Sequence, residues 1–179
     1  EGPRHEVTTP AYRIDRLEVT ATAFAAFLAA IGGNDCSGEE CYDPYFGDPP
    51  LEQTEDDTYL VKSGLGQRPM AEVTWYGADA YCTWRGQHLC SEAEWEKAAT
   101  GGCELQLEGD CAANTSPWPW GNWADDWADK QTTVCEYPSM QSDCEDPDMP
   151  GITTEAEGHP LGASPYGVLN MSGNVSEWV

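Results

Sequence analysis

Cysteine is the residue type in this chain with the most chemistry to offer. There are eight, Cys36, Cys41, Cys82, Cys90, Cys103, Cys111, Cys135 and Cys144. Thiols at this density form a disulfide framework, ligate metal or act as nucleophiles, and their spacing helps to separate these roles. No two stand as C-x-x-C, the spacing of dithiol redox motifs and many zinc sites, and three histidines alone, His5, His88 and His159, could complete a zinc shell. The even count favours disulfides and an oxidising location, which is to say secreted, periplasmic or cell-surface. Sequence cannot choose among the possible pairings. Joining neighbours gives Cys36–Cys41, Cys82–Cys90, Cys103–Cys111 and Cys135–Cys144, each closing a short loop and contributing roughly 2–3 kcal/mol.

Carboxylates are the second reservoir of chemistry. Acids outnumber bases 32 to 8, for a formal net charge of −24. Such a surface cannot neutralise phosphates, so nucleic acid is excluded as a partner, and anionic lipid is disfavoured for the same reason. The charge either adapts the protein to a salty or calcium-rich medium or attracts a basic partner. Asp125, Asp126 and Asp129 lie among Trp118, Trp120, Trp123 and Trp127. Carboxylates in an ordered loop are candidate hard-cation ligands. The tryptophans, without helical spacing, read as core plugs under long loops or as a platform for carbohydrate or a cation. There is no G-x-S-x-G elbow and no glycine-rich phosphate cradle.

The elements that must hold these residues are few. Residues 11–19 alternate as an extended segment, and Thr20 can cap a helix. Phe24, Phe27, Leu28 and Ile31 then make one apolar helical face, ended by Gly32-Gly33. Residues 34–72 read as a long loop with one short strand, Tyr59-Leu60-Val61, held by a disulfide or by ions. A second helix, Trp75 to Arg85, is capped by Thr74, and a third begins at Ser91. Ser91-Glu92-Ala93-Glu94 is a capping box, so Glu94 is read as a cap and not a catalyst. Residues 103–165 are again loop-rich. No stretch of 18 or more apolar residues exists, so no membrane insertion is expected. A hydrophobic content of 40% with 11% aromatics is enough for a core and argues against disorder.

Several of these segments, in the same order, resemble the sulfatase-modifying-factor domain, the family of the formylglycine-generating enzyme. Ile14-Asp15 with Glu18-Val19-Thr20, Phe24 and Phe27 looks like its opening. Val73-Thr74-Trp75, Ala78 to Trp84 and Ser91 to Ala99 look like its central helices, and Pro119-Trp120-Gly121-Asn122 resembles its Pro-Trp-Gly-Asn turn. Tyr166 to Val179, with Asn-Met-Ser-Gly-Asn-Val-Ser-Glu-Trp, looks like its calcium motif. The resemblance implies an α+β chain with a C-type-lectin-like fold, loop-rich and disulfide-stabilised, with few helices and short strands. It also implies Ca²⁺ held by the side chains of Asn170 and Glu177 and the backbone oxygens of Gly173 and Val175, and a second ion to which Asp129 would contribute. The chemistry agrees, since Ca²⁺ takes about six to eight hard oxygens and this segment offers an amide, a carboxylate and carbonyls at a glycine turn. The alternative is that Asn170 and Asn174 bond only their own turn.

Two departures bear on function. Where the family has Arg-Leu-Pro-Thr, this chain has His88-Leu89-Cys90-Ser91, which suggests a Cys82–Cys90 bridge between helices and a surface or capping role for His88. The family's paired copper-binding cysteines follow an Arg-Gly-Gly-Ser motif that this sequence, ending at Val179, does not contain. The expectation is therefore one domain over residues 1–179, incomplete at its C-terminus, with no catalytic residue to assign. It would be a calcium-binding, disulfide-stapled binding or assembly module, with an unknown protein or surface ligand and a place in a larger extracellular assembly. The alternative is a formylglycine-generating-type oxidase that uses copper on a sulfatase cysteine with residues beyond 179.

Overall fold

The first helix begins where an extended segment meets a hydroxyl that can replace a missing helical partner. In the computed structural model, which describes residues 7–44, 49–105, 119, 156–158 and 160–179, α1 spans Ala21–Ile31. Thr20 is extended and its Oγ1 accepts from the Ala23 N–H at 3.3 Å. Gly32 closes the helix at φ +87°, and its N–H donates to the Leu28 carbonyl at 3.0 Å. This left-handed turn favours glycine, which has no Cβ to clash. Phe24, Phe27 and Leu28 are each 1% exposed, and burial of such side chains stabilises by roughly 1.5–3 kcal/mol apiece. Ile31, expected on the same face, is 41% exposed.

Residues 34–61 hold more order than the sequence suggests. β1 (Asp35–Cys36) pairs antiparallel with β2 (Glu39–Glu40), and β3 (Leu51–Gln53) pairs with β4 (Tyr59–Val61) in the register Leu51↔Val61. Strands of two or three residues are too short to show a period of two, and β4 is legible in advance through its strand-favouring Tyr-Leu-Val composition. The Asn34 amide brackets Tyr42, donating to its carbonyl and accepting from its N–H, both at 2.8 Å. The Cys36–Cys41 disulfide closes the first hairpin.

That closed hairpin seats α2 (Trp75–Trp84). Thr74, its N-cap, donates its N–H to the Cys41 carbonyl at 3.1 Å, and its Oγ1 accepts from the Gly77 N–H at 3.0 Å. Gly77 lies so close to the hairpin that a Cβ there would stand 2.0 Å from the Cys41 carbonyl oxygen. Tyr81 then meets Phe24 and Phe27 at ring-centroid distances of 5.8 and 5.6 Å, joining α2 to α1. These rings, with Tyr42, Leu51 and Met70, make the first core cluster.

α3 (Glu92–Thr100) starts with the expected capping box. Glu94 Oε2 accepts from the Ser91 N–H at 2.9 Å and from the Ser91 hydroxyl at 2.8 Å, and the His88 ring stands 3.2 Å from the same oxygen. His88 thus serves the cap. Ala98 and Ala99 pack with Val168 and Met171 in a second core cluster, flanked by Ile14 and Trp95. Beyond Gly101, a 3₁₀ turn at Cys103–Leu105 is tied back when Tyr166 Oη donates to Glu104 at 2.6 Å and Lys97 pairs with Glu104 at 2.9 Å. The described residues therefore form an α+β arrangement of three helices and two small hairpins. No helix among them is long and apolar enough to cross a membrane.

Two outcomes are expected. Gly77→Ala drives a methyl into backbone and should destabilise by about 3 kcal/mol or more, read as a lower urea midpoint. The Ser91 bonds hold the Glu94 carboxyl below its ordinary pKa. Because the folded value is depressed, the stability Glu94 contributes is full above the unfolded pKa of about 4.3 and is lost as pH falls through the folded value. The stability gap between wild type and Glu94→Ala, about 1 kcal/mol at neutral pH, should therefore shrink on acidification below that point.

Candidate metal centre

Two segments from opposite ends of the described chain make this site. Residues 16–20 run between two partners, bending at Arg16 and Leu17: the Leu169 N–H donates to the Arg16 carbonyl at 2.9 Å, and the Met70 N–H to the Val19 carbonyl at 2.7 Å. Glu18 is thereby held beside the turn that follows Leu169. In that turn Asn170 and Asn174 have φ of +59° and +67°, in the left-handed region that asparagine tolerates better than most residues.

Asn170 is 2% exposed. Its Nδ2 donates to Glu18 Oε2 at 2.7 Å and to the Ala156 carbonyl at 2.8 Å, which engages both N–H bonds. Its Oδ1 is buried with no hydrogen-bond partner among the described residues. Asn174 Nδ2 donates to the other oxygen of Glu18 at 2.9 Å. The two asparagines therefore do not simply bond their own turn; their amides reach across the chain to one carboxylate.

Glu177 completes the group. The Trp95 indole N–H donates to its Oε2. Glu177 as a residue keeps open surface, but its carboxyl is crowded by Trp95 and lies near Glu18, and this desolvation raises its pKa, with repulsion from Glu18 adding to it. Burial likewise raises the Glu18 pKa, against the lowering effect of the two asparagine amides. The Gly173 carbonyl accepts from the Val175 N–H at 2.9 Å. The Glu177 carboxylate and the unpartnered Asn170 amide oxygen are donors suited to a hard dication, whose charge would relieve the repulsion between Glu177 and Glu18 and satisfy the amide. An unsatisfied buried acceptor costs about 1–3 kcal/mol. The residues present thus fit Ca²⁺. Among the described residues no three His, Cys, Asp or Glu side chains gather as a metal cluster, so the set is a mixed amide and carboxylate one.

Sequence reasoning named Asn170, Gly173, Val175 and Glu177 and missed Glu18, whose contacts lie 152 and 156 residues away. Asp129, Asp125, Asp126 and the tryptophans at 118, 120, 123 and 127 lie outside the described residues.

The cysteines divide. Cys36–Cys41 is present and Cys103 is disulfide-bonded, while Cys111, Cys135 and Cys144 lie outside the described residues. The expected Cys82–Cys90 bridge is corrected: both are free thiols. They stand near enough to interact electrostatically, but a disulfide demands closely matched Cβ positions and forms through a thiolate. Burial disfavours the thiolate at both. It pushes Cys90 up to about 11, with Glu94 and Cys82 adding to the effect, and raises Cys82 with help from Asp79 and Asp15.

A surface cleft of about 550 Å³ lies beside the hairpin and the N-terminus of α2. Trp75, Tyr76 and Trp178, 44%, 50% and 52% exposed, line it with the acids Glu39, Glu40, Asp43 and Glu72. Trp178 is fixed there by its indole N–H, which donates to the Val73 carbonyl at 2.8 Å.

The whole sequence, residues 1–179, matches the sulfatase-modifying factor enzyme 1-like domain. The chain belongs to this family. Within it, the sequence is 28% identical over 201 residues to a formylglycine-generating enzyme of Thermomonospora curvata, covering 99% of this chain and 62% of that protein. It is 28% identical over 205 residues to the inactive C-alpha-formylglycine-generating enzyme 2 of Mus musculus, covering 99% and 60%. It is also 30% identical over 183 residues to serine/threonine-protein kinase pkn1 of Chlamydia caviae, covering 99% of this chain and 24% of the kinase. The chain thus spans about a quarter of that kinase and about three fifths of the two formylglycine-generating relatives.

In this sulfatase-modifying factor domain, unfolding without reductant should release titratable thiols that peptide mapping assigns to Cys82 and Cys90. In the native protein at pH 8, Cys90 should react with a disulfide reagent far more slowly than a free cysteine of ordinary pKa, about 8.5.

Proposed function

We propose that this domain is a calcium-stabilised, non-catalytic binding or assembly module with a C-type-lectin-like fold, working in an oxidising extracellular compartment. The observation that carries the calcium reading is the buried, unpartnered Oδ1 of Asn170 beside Glu18 and Glu177. When bound, the cation would supply charge neutralisation and a cross-link, held by Asn170 and Glu177 through side chains, with the carbonyls of Gly173 and Val175 as further donors. Asp129 is proposed for a second ion. The Cys36–Cys41 and Cys103 disulfides support the compartment.

The non-catalytic reading draws on the thiols. Copper-dependent oxidation of a sulfatase cysteine requires thiolates to hold the metal. The free thiols among the described residues, Cys82 and Cys90, are both biased to the protonated form. One relative, the inactive C-alpha-formylglycine-generating enzyme 2 of Mus musculus, is named as lacking activity, while two others similar to this chain are named as a formylglycine-generating enzyme and a kinase. Binding is assigned to the acidic surface, at the cleft lined by Trp75 and Trp178. Aromatic faces rimmed by carboxylates suit a cationic group such as a lysine or arginine side chain of a partner protein.

Calcium binding only by the native state adds about 2.7 kcal/mol at a hundredfold excess over Kd. Stripping the ion with excess chelator should therefore lower Tm by roughly 5–10 °C, restored by added Ca²⁺ and not by Mg²⁺ at equal concentration. Asn170→Ala should abolish the response. An unchanged Tm in wild-type protein would remove the calcium reading.

A further inference from the structure

We infer that Glu18 is the positioning residue of the cation site: by accepting hydrogen bonds from Asn170 and Asn174 at once, it turns the Asn170 oxygen toward the cation and holds it there. This rests on the reading of the Asn170–Glu177 turn as a calcium site.

An asparagine amide can sit either way round, because its last torsion is roughly two-fold and oxygen and NH₂ are close in size. Its partners decide which end faces inward. At Asn170 both amide hydrogens have acceptors, Glu18 Oε2 at 2.7 Å and the Ala156 carbonyl at 2.8 Å. Neither acceptor can donate, since an ionised carboxylate and a peptide carbonyl have no hydrogen to offer. The reversed amide would set its oxygen against two other oxygens and aim its hydrogens at the place the cation takes. Only one orientation leaves Oδ1 bare, and that is the one present.

Glu18 is itself fixed. Asn174 donates to its second oxygen at 2.9 Å, so the carboxylate plane is gripped by amides from both sides of Gly173. Its backbone is pinned by Leu169 at Arg16 and by Met70 at Val19. With both oxygens already accepting, its part is to orient the ligand. Outer-sphere partners of this kind commonly govern 10–100-fold in metal affinity.

Terbium occupies calcium sites and luminesces when a nearby indole is excited, and Trp95 bonds directly to Glu177. Titration of the whole chain with Tb³⁺, and displacement by Ca²⁺, therefore reads the site without reference to any activity. Glu18→Met fills the same space without an acceptor, and Glu18→Gln keeps one acceptor oxygen for Asn170. Both remove the charge, so the gap between them measures orientation alone. Glu18→Met should bind Tb³⁺ and Ca²⁺ at least ten times more weakly than wild type while keeping its far-ultraviolet circular dichroism, and Glu18→Gln should recover most of that loss. Should the methionine variant misfold, Glu18→Ala gives the same comparison. Equal loss in the acceptor-free and glutamine variants would show that only charge matters, and affinities within twofold of wild type would show that nothing at Glu18 matters; either overturns the inference while leaving the site intact. Wild-type protein that binds neither ion would overturn the site and Glu18's role together.

Discussion

A single carboxylate joins the beginning of this chain to its end. Glu18 accepts from Asn170 and Asn174, residues more than 150 positions later, and sits two residues before the cap of α1. The segment around it is common to three parts of the molecule. Val19 packs against the first core cluster and Ile14 against the second, while Glu18 faces the asparagine turn. Ordering a link across such a sequence distance carries a loop-closure cost that grows only slowly with length. A few good hydrogen bonds in a crowded setting can offset it, because charge-assisted bonds are stronger than neutral ones. What they cannot offset is the crowding of Glu18 against Glu177 in a chain with a net charge of −24. The proposed dication would answer that imbalance beside the Asn170 Oδ1, which is buried with no hydrogen-bond partner among the described residues.

The other half of the molecule follows a different rule, in which covalent closure makes a seat for a helix. The Cys36–Cys41 hairpin presents the Cys41 carbonyl as a fixed acceptor for the first turn of α2, and Gly77 lets the backbones approach. Tyr81, one turn further on, is then placed between Phe24 and Phe27. Hairpin, α2 and α1 thus pack as one unit, in which Tyr81 adds its ring to the Phe24–Phe27 pair of α1. The same hairpin carries Glu39 and Glu40, and α2 begins with Trp75 and Tyr76, so the docking that builds the core also assembles the acidic, aromatic cleft.

What could be read from sequence was what is decided locally. Thr20, Thr74 and Ser91 cap their helices as their neighbours in the chain require, and the Ser91–Glu94 box is a pattern four residues long. Cys36–Cys41 was legible because the two cysteines are five residues apart. Cys82 and Cys90, scarcely more distant, misled for the converse reason: nearness along the chain says nothing about whether Cβ atoms align or whether burial favours the thiol. Gly77 was unremarked because nothing around it in sequence announces that Cys41 will lie against it. Asn170 and Glu177 were named through the family resemblance of their turn, whereas Glu18 has no local signature. A glutamate in an alternating extended segment reads as a solvated residue until the segment that partners it is placed.

The separation of scaffold from chemistry follows from these same contacts. The bonds that order the described residues run through hydroxyl caps, amides, carboxylates and one closed hairpin, and none of them requires a reactive thiolate. Burial first, and then the negative charges of Asp79, Asp15 and Glu94, disfavours ionisation of the two free thiols. A fold whose integrity does not draw on a catalytic group can persist where that group is absent, used elsewhere or replaced. That accounts physically for one domain recurring at about 28–30% identity in relatives named as an enzyme, an inactive counterpart and a kinase. It also places the demand for sequence specificity where this chain shows it, in the Glu18–Asn170–Asn174 network and the approach of Gly77 to Cys41.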